Sequence, residues 1–148
     1  MIDSETLALL QDIVRRESRS ILTYVGEAFP WTNAADSAAR SKLTEVLAEE
    51  GATVASLGRF LARRRAAVSF LGPYPEGFTT LNFLALEHLL PRLVAYQRRS
   101  IADLERDLTR INDAEAKAQV ARLLEVKRRN LALLEGLTVS HPEPATSI

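Results

Sequence analysis

The chain has 148 residues and no cysteine, and its 19 basic residues balance 19 acidic ones. Zero net charge argues against the broad basic face that nucleic-acid binding requires. The missing thiols exclude disulfides, thiolate metal sites and a cysteine nucleophile. With 47% hydrophobic and 26% charged residues, the composition is that of an ordinary globular domain large enough to bury a core.

The start, MIDSETLALL, is acidic and runs directly into a helical pattern, unlike a signal peptide. No apolar run reaches the ~20 residues of a membrane helix, so the expected location is the cytoplasm. The first helix is expected from Ser4, as its cap, to Ala28, with Pro30 ending it. Its apolar stripe reads Leu7, Leu10, Val14, Ile21 and Tyr24. A second helix, capped by Asn33 or Asp36, carries Leu43, Val46, Leu47, Val54, Leu57, Phe60 and Leu61 on one face. Arg63, Arg64 and Arg65 close it, where cations suit the helix dipole.

The segment SFLGPYPEGFTT, with two prolines and two glycines, is a loop. Thr79 or Thr80 is expected to begin a third helix, with a stripe from Phe83 through Leu86, Leu90, Gln97, Ile101 and Leu104 to Ile111. Pro91 removes an amide donor within it and predicts a kink. Asp113 caps a fourth helix that carries Val120, Leu123, Leu124, Leu131 and Leu134 and is expected to end at Gly136. Nothing reads as a strand or a repeat. The reading is one all-α domain over residues 1–137 and a disordered tail over 138–148.

The connection over about residues 67–78 is long for neighbouring antiparallel helices. Extended, a dozen residues span about 36–43 Å. A helix of about 27 residues is about 40 Å long. The loop can therefore run the length of a four-helix bundle, giving a single long crossover. In that topology Phe29 or Trp31 should touch Phe78, Leu81 or Phe83. The aromatics Phe29, Trp31, Phe70, Tyr74 and Phe78 either cap the core or form a patch for a second subunit.

Polar residues interrupt the apolar stripes at one level. Glu17 falls on the first stripe and Glu50 on the second, and both lie about 16 to 17 residues from a turn centred near residue 33.5. Gln97 and Lys127 interrupt the later stripes, each about 15 residues from the turn near residue 112. The spacing predicts a central layer of Glu17, Glu50, Gln97 and Lys127. Two facing carboxylates need a metal, a cation such as Lys127, or a retained proton.

A single-crossover bundle with a mid-height glutamate on each of two helices resembles the ferritin-like superfamily, including its rubrerythrin-like chains. Its di-iron members use one Glu from each of two helices and a Glu-x-x-His pair from each of the other two. By resemblance, Glu17 and Glu50 take the places of the first two glutamates. Thr53 stands three after Glu50, and Arg128 three after Glu125, where the metal motif has histidine. Glu87 and His88 complete the candidate ligand set, although helix neighbours point about 100° apart. The metal motif is thus half present, and Lys127 holds an inward position on the last helix.

The arginines at 15, 16, 19, 63–65, 98, 99, 128 and 129 are interleaved with acids at helical spacing, as on solvated faces. No phosphate loop or Ser-His-Asp pattern is present. The sequence is therefore read as an all-α, ferritin-like four-helix bundle with one long crossover. It is expected to be non-catalytic and without cofactor, forming a homodimer or binding another protein, and to bind neither nucleic acid nor membrane. The alternative is a carboxylate-bridged iron or manganese redox protein using Glu17, Glu50, Glu87 and His88.

Overall fold

The computed structural model describes residues 2–27, 36–68 and 72–142, apart from the side chains at 82 and 83. All regular structure there is helical: α1 (Ser4–Ser18), α2 (Ile21–Glu27), α3 (Ser37–Arg63), α4 (Leu86–Leu108) and α5 (Ala114–Ser140), with a 3-10 segment (Glu76–Phe83) before α4. No described helix is long and apolar enough to cross a membrane.

The single first helix expected from the apolar stripe is instead two. Arg19 leaves helical geometry (φ −117°, ψ 30°). The Ser20 hydroxyl then accepts from the Thr23 amide at 3.2 Å and meets the Thr23 hydroxyl at 3.0 Å. A serine that can bond the backbone two or three residues ahead competes with helix continuation, and here it starts α2. The cap of α1 is Asp3, whose Oδ1 accepts from the Thr6 amide at 2.7 Å, and not Ser4.

The third expected helix also begins later. Thr79 and Thr80 donate their hydroxyls to the carbonyls of Glu76 and Gly77, three residues back, within a 3-10 turn. Ala85 is extended (φ −69°, ψ 159°), and only then does α4 start and continue through Pro91. At the other end, Asp113 caps α5 by accepting from the Ala116 amide at 2.8 Å. That helix passes through Gly136 to Ser140, beyond the expected stop. Glycine ends a helix by turning left-handed, and Gly136 is not among the residues with positive φ.

The core has two apolar clusters. One joins Leu10 and Ile13 of α1, Leu57, Phe60 and Leu61 of α3, Leu104 of α4, and Val120 and Leu123 of α5. The other joins Ile21, Leu22 and Val25 of α2, Leu43 and Val46 of α3, Leu86 to Leu93 of α4, and Leu134 of α5. Both α3 and α4 begin at the second cluster and end at the first, so they run in the same direction. The chain between them must return from one cluster to the other.

That return leaves α3 through a Schellman-type end. The amides of Arg65 and Ala66 bond the carbonyls of Ala62 and Leu61, and Arg65 takes φ 57°. Gln11 Nε2 donates to the Ala66 carbonyl at 2.9 Å. Gly72, at φ 80° where a side chain would be strained, receives Arg19 Nε on its carbonyl at 2.8 Å. The expected contacts of Phe29 and Trp31 lie outside the described residues, as does Phe70. At the second end Tyr24, Tyr74 and Phe78 instead form a cluster, with ring centroids 5.2, 5.6 and 6.4 Å apart in edge-on and tilted contacts, and Phe78 also meets Tyr96 edge-on at 6.1 Å.

Candidate functional site: a buried carboxylate–lysine layer

Between the two clusters four of the five helices turn polar residues inward. Glu17 comes from the last turn of α1, Glu50 from α3, Gln97 and Ser100 from α4, and Lys127 and Asn130 from α5. All six are buried, with Gln97 and Asn130 at 0% exposure.

Lys127 is the centre. Its Nζ lies 2.8 Å from Glu17 Oε2 and 2.8 Å from Glu50 Oε1. Ser100 Oγ donates to the other Glu17 oxygen at 2.8 Å. Gln97 Nε2 and Asn130 Nδ2 both donate to Glu50 Oε2, at 2.7 and 3.0 Å. Gln97 Nε2 also reaches the Lys127 carbonyl at 3.1 Å. Each carboxylate oxygen thus has a donor, which a buried charge requires. Burial alone would push the Lys127 ammonium down, but Glu17 and Glu50 override it and hold its pKa above the ordinary lysine value.

The layer is rich in acceptors. It contains two carboxylates and one ammonium, and the amide oxygens Gln97 Oε1 and Asn130 Oδ1 are buried with no hydrogen-bond partner. Arg16 approaches Glu17 only to 3.7 Å and gives its short contact, 2.9 Å, to Asp107.

The four residues expected in the layer are brought together. Ser100 and Asn130 were missed by sequence reasoning. Each stands three residues after an expected member, Gln97 and Lys127, on the same helix face, and that spacing was the available signal. The metal candidates are not brought together. Glu87 and His88 lie in the first turn of α4, ten and nine residues before Gln97, which is about 14–15 Å along the helix axis. Among the described residues no three His, Cys, Asp or Glu side chains group as a metal-ligand set. A set built from Glu17, Glu50, Glu87 and His88 is therefore corrected to two carboxylates, with Lys127 between them.

Beside the layer, α1, α2 and α3 leave a half-open groove of about 390 Å³, roofed at one edge by Ala67 and Val68 of the returning chain. Glu17 and Glu50 both line it. A smaller recess of about 140 Å³ reaches Glu17 from the α4 side, beside Tyr96, Ser100 and Asp103.

No protein-family model, curated protein or solved structure matches the chain.

Proposed function

We propose that the chain is a non-catalytic binding protein built as a four-helix bundle of the ferritin-like, single-crossover type, in which an ammonium group stands where complete members place metal. The direction of the helices supports the architecture: α3 and α4 run the same way, and the chain between them returns along the molecule. The observation that carries the functional reading is Lys127 Nζ at 2.8 Å from both glutamates. A cation held there satisfies the charge that a metal would otherwise neutralise. The donor set also lacks imidazole at the layer, which iron and manganese redox centres of this kind require.

Elemental analysis of the purified protein, followed by titration with ferrous iron and manganese, tests this. Sub-stoichiometric metal and no saturable uptake are expected. Tight uptake of one or two equivalents, abolished by Glu17→Gln, would overturn the reading in favour of a metal-dependent redox protein.

A further inference from the structure

The groove beside the layer is not accounted for by packing. On α3 it is lined by Gly51 and Gly58, and a Cβ built at either residue meets nothing within 4 Å. Glycine within a helix costs about 0.5–1 kcal/mol relative to alanine, so no close approach compels it here. The space it leaves, with Val14, Leu22 and Val54, is a mainly apolar slot of about 390 Å³. That is within the range of ligand sites, about 300–1,000 Å³.

The inner end of the slot is charged. Glu17 and Glu50 line it with 3% and 8% of their side chains exposed. Lys127 contributes one positive charge against their two negative ones, and Arg16, whose Nε comes within 3.7 Å of Glu17, is shared with a third carboxylate, Asp107, at 2.9 Å. The layer therefore carries a surplus of negative charge and of acceptors in a desolvated place, beside apolar walls. A low-dielectric site strengthens attraction for a compensating cation. Apolar walls favour a cation that brings its own apolar surface over a hydrated metal ion.

We propose that this groove binds a small organic cation with an apolar body, of the alkylammonium class, with its charge at Glu17 and Glu50 and its chain along α3. The inference rests on the reading that Lys127, and not a metal, holds the two carboxylates.

The test uses the full chain, with its metal content measured beforehand. Calorimetric titration and thermal melting are run with n-octylammonium, octanoate and octanol, all below micelle-forming concentrations. Octylammonium should bind saturably and raise Tm, with at least about tenfold preference over octanol and octanoate, a difference of about 1.4 kcal/mol. Gly51→Leu, which places a side chain in the open slot, should fold normally and lose octylammonium binding about tenfold or more. Ala52→Leu, on the α5 side of α3, should bind as the parent does. Glu17→Gln should lessen the preference for the amine over the alcohol. Equal binding of the three probes, no binding by metal-free protein, or unchanged binding in Gly51→Leu would each overturn the proposal. Bound metal in the starting protein would instead overturn the reading it rests on.

Discussion

The two sides of the polar layer are built differently. On one side α4 and α5 are long and unbroken, and they supply every donor: Gln97, Ser100, Lys127 and Asn130. On the other side stand the acceptors, Glu50 on α3 and Glu17 on α1. There the first helix breaks at Arg19, within one turn of its carboxylate, and the groove opens next to the break. A carboxylate in the last turn of a helix opposes the helix dipole. Glu17 is held there by Lys127 and Ser100, not by its own helix. The continuous hairpin thus carries the donors, and the broken side carries the acceptors. The apolar groove of about 390 Å³ lies on the acceptor side, next to that break.

The most severe way to break the comparison is to remove its shared cation. Lys127→Met leaves two buried carboxylates facing one another. Loss of one partner of a buried pair costs about 3–5 kcal/mol. Urea unfolding should show a loss of that size. Adding Glu17→Gln and Glu50→Gln should recover much of it. Gln97 Oε1 and Asn130 Oδ1 have no partner in the native layer, so both amides can rotate to accept from a new glutamine at position 50. A Lys127→Met variant as stable as the parent would show that the ammonium contributes nothing to holding the two sides together.

A gentler version removes the charge by pH. The folded pKa of Lys127 is raised, so its contribution is fully present below the unfolded value of about 10.4 and is lost as pH rises through the folded one. Tyr96 is also raised, first by burial and then by the Glu17 charge, so its ionisation acts in the same direction. Stability measured by urea midpoint should therefore fall above about pH 10, and more steeply than in the triple variant, which has lost the Lys127 share. Identical alkaline profiles for the two proteins would contradict this.

The caps sharpen the contrast at about 1 kcal/mol. Ser20→Ala removes the hydroxyl that starts α2, and Asp113→Ala the carboxylate that starts α5. Cap substitutions typically cost about 0.5–2 kcal/mol. The two should cost similar amounts in global stability but differ in locality. Hydrogen exchange should speed up mainly in α2 for Ser20→Ala, because that helix has only seven residues, whereas α5 has 27. Uniform acceleration across the molecule in both variants would mean that the broken side is no more independent than the hairpin.

Much of this arrangement was legible in the sequence. Glu17, Glu50, Gln97 and Lys127 each break a helical apolar stripe, and equal distances from two turns place them at one level. Charges on a stripe are visible because burial of a charge is otherwise so costly. Ser100 and Asn130 were not visible, since small polar residues sit equally well on a surface. The break at Arg19 was hidden because Val14, Glu17, Ile21 and Tyr24 keep a helical period across it. Only the Ser20–Thr23 pair marks it. The metal candidates Glu87 and His88 failed on simple geometry: ten and nine residues of helix separate them from Gln97 in the layer, and residue type alone does not measure that distance.

The smallest expected effect compares two glycines. Gly51 on α3 lines the groove, while Gly136 lies on α5, and a Cβ at either meets nothing within 4 Å. Alanine lowers the backbone entropy of the unfolded chain and suits a helix better, so each Gly→Ala change should stabilise by about 0.5–1 kcal/mol. Thermal melting should show a similar rise in Tm for both. The two should part in the presence of n-octylammonium. Gly136→Ala should keep the full ligand-induced rise, since residue 136 does not line the groove, and Gly51→Ala should show a smaller one, since its methyl group narrows the slot. Equal ligand-induced rises would place the ligand away from residue 51. A loss of stability in Gly51→Ala would mean instead that the backbone there is not free to take a side chain, and that the groove is narrower than its walls define.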